Sequence, residues 1–359
     1  MKKTLLFAAT MFAAVTMSAQ TITIDGANSD WAGIPMLTEP GGESATVLKI
    51  VVPQDGMTLP DGAAYCLMVT GDHEQILAGY PVIYTDADND NTTGTKPWFL
   101  STMGYDYEMA TWSTSSSYAA SETGNIREMC IMKAAFSSVP FSGSFGAWLT
   151  FNWGALYVPN SPEPSGDNWK WDQSAYHHLT VAPYTFANLN GKFEAANAYS
   201  THQVLAPGAS FNMKVAGSAN DTLLWASWTV ELKTAGKYTV SADVTSANSA
   251  SVDLDLVDMA TNAIVASFRS EDKWAPAGSA EYGEWDLSSV PAGKYMLKFS
   301  NHVAWSEMVL SSITLTGQGV ISGIESTSSS AKAVKVIRNG QVLFIRDGRT
   351  FNALGSEVR

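Results

Sequence analysis

The chain has 359 residues, with 21 Lys and Arg against 34 Asp and Glu, a formal charge of −13 at neutral pH. Phosphate contacts need clustered basic side chains, so this balance excludes a nucleic-acid binder. Few charges, abundant Gly and many aromatic residues are the composition of extracellular β-sandwiches, and the length is enough for two separate cores.

Lys2 and Lys3 precede an apolar run from Leu5 to Met17, and Met17-Ser18-Ala19 offers a signal-peptidase site, so residues 1–19 are expected to be a signal peptide cleaved after Ala19. Its removal leaves 19 basic against 34 acidic residues, a charge of −15. The run is shorter than the roughly 20 residues of a membrane span, and no later segment reaches 18 apolar residues without a charge. No transmembrane segment is expected in the mature chain.

From Gln20 to about Pro183, short apolar runs alternate with Gly, Pro, Asp and Asn clusters. Strands are expected at Val47 to Val52, Ala64 to Thr70, Tyr80 to Thr85, Asn125 to Phe136 and Gly146 to Asn152. Period-two alternation without helical stripes points to an antiparallel sandwich. Cys66 and Cys130, the whole thiol inventory, both fall in these runs. In an exported protein they form either a disulfide or a pair of buried thiols packed as small apolar groups.

Asp86, Asp88 and Asp90 alternate in Asp-Ala-Asp-Asn-Asp-Asn-Thr. Such spacing either wraps oxygens around a structural Ca2+ or forms Asx-turns in which the carboxylates cap their own backbone. It is not an EF-hand loop, because Asn91 stands at the place of the turn Gly and Pro97 at that of the closing Glu.

From Tyr184 to about Gly317 a second sandwich is expected. Thr-Ala-Gly-Lys-Tyr at 234–238 and Pro-Ala-Gly-Lys-Tyr at 291–295 each end a turn at Gly and start an alternating strand at Tyr. Tyr238, Val240, Ala242 and Val244 share one face, and Tyr295, Leu297 and Phe299 do likewise. A Ser/Gly-rich linker at 318–330 follows. The tail at 331–359 is basic, with Asn339-Gly340 and Asp347-Gly348 turns that read as a small β-meander. The fold class is therefore all-β, with two jelly-roll-like antiparallel sandwiches and a C-terminal meander.

No catalytic signature is present: no Gly-x-Ser-x-Gly, no His-Glu-x-x-His, no phosphate-binding Gly loop. His73, His177, His178, His202 and His302 are scattered, and the adjacent pair points to opposite faces of a strand. No motif singles out two of the many carboxylates, so no catalytic residue is assigned.

Aromatic residues outside the regular strands are the ligand candidates, since sugar rings stack on Trp and Tyr. Trp169 and Trp171, two apart after a Pro-rich loop, form either a platform or part of a core. Trp98 and Trp112 are further candidates in the first sandwich, and Trp274 and Trp305 in the second.

Three resemblances sit on these residues. Ile24-Asp25-Gly26 with Ser29-Asp30-Trp31, joined to Tyr84 through Asp90 and Thr93-Gly94, resembles the family 9 carbohydrate-binding modules and their DOMON-like relatives. That resemblance implies a Trp31 packed on the sandwich in a structural role. The doubled Gly-Lys-Tyr block is similar to galactose-binding-like jelly rolls, including carbohydrate-binding modules of families 6 and 35. The tail resembles type IX secretion sorting domains, which implies export across an outer membrane, the secretion apparatus as partner and a secreted or surface location. Together they imply an exported, non-catalytic protein that binds polysaccharide or glycan. The alternatives are a structural or adhesive surface protein with protein partners and, third, a glycoside-active enzyme.

Overall fold

A computed structural model of the chain describes residues 20–42, 46–71, 81–88, 90, 93–94, 107–110, 116–120, 125–136, 141, 145–151, 156–158, 179–201, 211–214, 225–246, 249–274, 279–301, 307–318, 334–338, 341–346 and 349–352. Strands dominate them, with short 3-10 turns and no α-helix among the described residues. None of their helices is long and apolar enough to cross a membrane. The expected signal peptide, and all of the aromatic candidates except Trp274, lie outside the described residues.

The first sandwich contains β1 (Gln20–Thr21), β2 (Val47–Val51), β3 (Met57–Thr58), β4 (Ala63–Thr70), β5 (Pro81–Asp86), β6 (Tyr107–Ala110), β7 (Ser116–Ala120), β8 (Ile126–Met132), β9 (Phe145–Phe151), β10 (Leu156–Val158) and β11 (Leu179–Val181). One sheet runs β2-β4-β8-β7 and the other β10-β9-β5-β6, with β11 also on β9. Leu48, Ile50, Leu67, Val69, Met129 and Ile131 project from the first sheet against Ile83, Phe145 and Val181 of the second. Tyr65 stacks on Phe145 with ring centroids 4.3 Å apart.

The opposite face of the β2-β4-β8-β7 sheet is buried as well. That is why β4 reads Ala-Ala-Tyr-Cys-Leu-Met-Val without polar alternation. A strap, residues 20–34, lies over this face and contributes Ile22, Trp31 and Ile34 to a cluster with Val51, Cys66, Met68 and Cys130. Register places Lys49, Met68 and Glu128 in one row across the face and Val51, Cys66 and Cys130 in the next. Cys66 and Cys130, directly paired across β4 and β8, form a disulfide.

Two charged groups on this covered face are both spent on the strap. Glu128 accepts hydrogen bonds from the backbone N–H of Asp25 at 3.0 Å and of Gly26 at 2.6 Å, and from the Trp31 indole. Burial pushes its carboxyl pKa up, against the pull of those donors. The Lys49 ammonium donates to the carbonyl of Trp31 at 2.9 Å and to that of Met259, in the second sandwich, at 2.6 Å. Burial lowers its pKa to about 8, with Asp258 acting in the other direction.

The second sandwich contains β12 (Ala187–Asn188), β13 (Gly191–Glu194), β14 (Ser200–Thr201), β15 (Phe211–Lys214), β16 (Trp225–Leu232), β17 (Lys237–Ser246), β18 (Ser249–Ala250), β19 (Asp253–Val257), β20 (Ile264–Arg269), β21 (Lys273–Trp274), β22 (Ser279–Asp286), β23 (Gly293–Ser300) and β24 (Glu307–Gln318). Its sheets run β12-β16-β23-β19-β20, with β14 on β16, and β13-β24-β17-β22, with β15 on β24. β17 alternates buried and partly exposed residues as its sequence predicts. β23 differs from the one-sided expectation. Tyr295, Leu297 and Phe299 face the core, yet Met296, Lys298 and Ser300 on its other face are buried too.

The first sandwich helps to cover that second face. Met36 and Val47 cluster with Val257, Met259 and Met296. The Ser200 hydroxyl donates to the Leu37 carbonyl at 2.6 Å, and Lys298 pairs with Glu39 at 2.6 Å. The two cores are thus joined by a third cluster within one compact unit that ends at Gln318. The tail is a unit of its own, a three-stranded meander of β25 (Val334–Arg338), β26 (Gln341–Arg346) and β27 (Arg349–Asn352). Pairing of Arg338 with Gln341 and of Arg346 with Arg349 leaves two residues for each turn, as the Asn-Gly and Asp-Gly dipeptides predict.

Gly41 sits at the junction with φ +63°, and a Cβ there falls 2.5 Å from Ile264 Cγ1. Gly41→Ala is expected to destabilise the protein by about 1–3 kcal/mol in denaturant titrations. Ile264→Ala in the same chain should recover the steric part while leaving the backbone part.

Lys49 gives a pH signature. Between about pH 8 and the ordinary lysine value of 10.5 the unfolded chain retains a proton that the folded chain has released. Stability therefore rises with pH across this window, by at most about 1.4 kcal/mol per unit. Burial raises the Tyr184 pKa to about 12, and a raised tyrosine pKa acts in the opposite sense above pH 10. The quantity to measure is thus the stability difference between the parent and Lys49→Met, which should grow in the parent's favour from pH 8 to 10; a flat difference refutes the assignment.

Candidate functional site

The two ends of the second sandwich are built differently. At one end β16 turns into β17 over residues 233–236, β19 into β20 over 258–263, and β22 into β23 over 287–292. These turns are pinned. Asn262 takes a positive φ of 56°, its N–H donates to the Asp258 carbonyl at 2.9 Å, and Leu287 N–H donates to the Gly236 carbonyl at 2.8 Å. Burial works against the Asp258 carboxylate, but the hydroxyl and N–H of Thr261 and the N–H of Ala260 outweigh it and hold its pKa below the usual value.

The doubled Gly-Lys-Tyr block has its explanation at this end. The Tyr238 hydroxyl reaches back four residues to the Thr234 carbonyl at 2.6 Å, and the Tyr295 hydroxyl to the Pro291 carbonyl at 2.8 Å. Each tyrosine buries its ring between the sheets and ties the turn that precedes its own strand. The repetition is one structural device used once in each sheet.

In chain order the opposite end takes the connections 202–210, 215–224 and 270–278, longer than any at the first end, and two, 247–252 and 301–306, of the same length as the turns there. Antiparallel register puts the start of β16 beside the end of β23, as Trp225 with Ser300, and the end of β15 beside the start of β24, as Lys214 with Glu307. Trp274 lies here, in the two-residue ribbon of β21 with β18, opposite Ser249. Trp305 belongs in chain order to the 301–306 connection of the same end.

The roots of these connections are braced by buried polar groups. Ser251 donates through its N–H at 3.1 Å and its hydroxyl at 2.7 Å to Asn301 Oδ1, tying the approach to β19 to the end of β23. Ser270 Oγ accepts from Val252 N–H at 2.8 Å and donates to the Glu271 carbonyl at 3.0 Å. Beside Trp274, the Lys273 ammonium lies 5.1 Å from the Tyr282 ring centroid and donates to the Glu281 carbonyl. Burial pushes the Tyr282 phenol pKa up. Asp255 is committed to structure, bound by Arg269 at 2.7 Å and by the Ser267 hydroxyl at 2.6 Å.

Of the predicted site residues, Trp169, Trp171, Trp98, Trp112 and Trp305 fall outside the described residues, in the chain intervals β10–β11, β5–β6, β6–β7 and β23–β24. Trp31, Trp225, Trp228 and Trp285 are buried, so none of these four offers a stacking surface. The Asp loop shows Asx geometry: Asp90 N–H donates to Asp86 Oδ1 at 3.0 Å and to Asp88 Oδ1 at 2.9 Å. Among the described residues no three acidic, His or Cys side chains converge as a metal site. Lys273 and Asn301 were not singled out in the sequence, because their roles come from cross-strand neighbours and not from any local pattern.

No family model and no curated protein matches the chain. Solved structures similar to part of it include the family 6 carbohydrate-binding module CsCBM6-3 of Clostridium stercorarium in complex with cellobiose, 11% identical over 37% of this chain and 98% of that one, TM-score 0.24. The C-terminal family 6 module of the laminarinase LamC from Zobellia galactanivorans is 15% identical over 34% of this chain and 97% of its own, TM-score 0.23. A Podospora anserina GH26-CBM35 β-(1,4)-mannanase is 19% identical over 36% of this chain and 28% of that enzyme, TM-score 0.22.

Proposed function

We propose that this is an exported, non-catalytic carbohydrate-binding protein whose second sandwich holds its ligand at the end that carries the long connections. The observation that carries the reading is the difference between the two ends of that sandwich, one of pinned turns and one where the connections with braced roots include the segments of Trp274 and Trp305 and the longest intervals between strands. A rigid scaffold with variable loops at one pole is how sandwiches present binding groups. Trp and Tyr are the side chains that offer a flat apolar face and a polar edge to a sugar ring. In the first sandwich Trp169 with Trp171, and Trp98 and Trp112, are proposed as further stacking residues.

A second reading, a surface module for protein partners, is favoured by Ile264 and Val265. They are the exposed large apolar side chains among the described residues, and they lie on the edge strand β20. An unpaired apolar edge is a template for strand addition.

Affinity electrophoresis against soluble mannan, xylan, laminarin and mixed-linkage β-glucan separates the two. Binding by the parent should weaken roughly fivefold for each stacking Trp replaced by Ala, from about 1 kcal/mol per ring. The comparison is Trp274→Ala and Trp305→Ala against Trp169→Ala with Trp171→Ala. Retention of no glycan at all removes the proposal, and release of reducing ends replaces it with an enzyme.

Export is proposed from the charged, apolar N-terminus and from the tail. Few contacts are expected to cross the polar linker at 318–330. Deletion of 331–359 should leave the melting temperature of the body unchanged and strand the protein in the periplasm. Normal surface delivery of the truncated chain contradicts the sorting role.

A further inference from the structure

We infer that the strap, residues 20–34, is a separable lid over the Cys66–Cys130 disulfide, which can be reduced only when the strap lifts. The inference is independent of what the protein binds. Both cysteines are fully buried, yet they do not face the core between the two sheets of the first sandwich. They lie on the outer face of the β2-β4-β8-β7 sheet, in the cluster that Ile22, Trp31 and Ile34 complete. The core residues of the inner face, Leu48, Ile50, Leu67, Val69, Met129 and Ile131, belong to a different cluster, which holds no residue of the strap.

Glu128 takes three donors from the strap, at Asp25, Gly26 and Trp31, and Lys49 donates to the Trp31 carbonyl. Gln20 N–H donates to the Gly56 carbonyl and Ile22 N–H to the Thr58 carbonyl, both at 2.9 Å, along the two-residue parallel pairing of β1 with β3. The Gln20 side-chain amide ties the strap to itself at the carbonyls of Asp30 and Ala32. By contrast β4 and β8 are paired along nearly their whole length. A segment joined to the face of a well-paired sheet through side chains and a two-residue ladder opens locally at lower free energy than the sheet unfolds.

Thiol–disulfide exchange needs a thiolate to reach one sulfur. Reduction by dithiothreitol breaks the Sγ–Sγ bond, moves two electrons and two protons to give two thiols, and leaves the reagent as its cyclic disulfide. With the strap down, neither sulfur is reachable.

The test follows thiol appearance in the folded full-length chain under dithiothreitol, by alkylation and mass shift, for the parent, Glu128→Gln and Gln20→Ala. Hydrogen exchange of the β4 amides is recorded in parallel as a monitor of unfolding of the sheet that carries the disulfide. Reduction should be at least tenfold faster in Glu128→Gln and several-fold faster in Gln20→Ala, with β4 protection unchanged. Equal rates in the parent and both variants overturn the inference, as does acceleration accompanied by equal loss of β4 protection. If Glu128→Gln does not fold, Gln20→Ala decides alone: an unchanged rate refutes the lid.

Discussion

A sheet buried on both faces must find a partner for every polar side chain it carries, and Lys49 and Glu128 impose that demand on this fold. Unpaired, either group in so dry a place costs several kcal/mol. Their partners are on the strap, and they grip one residue from two sides: the Trp31 carbonyl by the ammonium and its indole N–H by the carboxylate. Position 31 therefore requires a large apolar side chain with a donor at its edge, a description that fits Trp and no other residue as well. The neighbouring Asp25-Gly26 pair presents two backbone N–H groups to one carboxylate oxygen.

Lys49 extends the same constraint to the second sandwich through the Met259 carbonyl. The junction is not a loose linker between independent beads. It combines an apolar cluster, a half-buried ion pair between Glu39 and Lys298, and a glycine that admits Ile264 where a Cβ cannot fit. Relative motion of the two sandwiches has to break several of these together. The first sandwich thereby supplies part of the cover that a polar, lysine-bearing sheet face lacks on its own.

Much of this was legible in the sequence where the physics is local. The alternation of β17 and the two-residue turns of the tail follow from side-chain periodicity and turn chemistry. Five strands of the first sandwich lie within a residue of the expected runs, except that the run from Asn125 to Phe136 ends in a 3-10 turn after Met132; β6, β7, β10 and β11 were not read from the sequence. What was not legible depends on register and on second faces. Lys49 and Glu128 are 79 positions apart in sequence and share a row only because β2, β4 and β8 pair as they do. The pairing of Cys66 with Cys130 is decided by the same register, which an even cysteine count does not contain. For β23 the inward set was read correctly, while the burial of Met296, Lys298 and Ser300 reflects a neighbouring sandwich that no window along the strand reports.

The two poles of the second sandwich show how one sequence separates stability from presentation. At the pinned pole, tyrosine hydroxyls and a left-handed Asn hold short turns whose lengths leave little room for variation. At the other, Ser251, Ser270 and Asn301 satisfy buried backbone and side-chain groups where strands end. Small hydroxyls and an amide suit this task, because they saturate backbone groups without the desolvation cost of a charge.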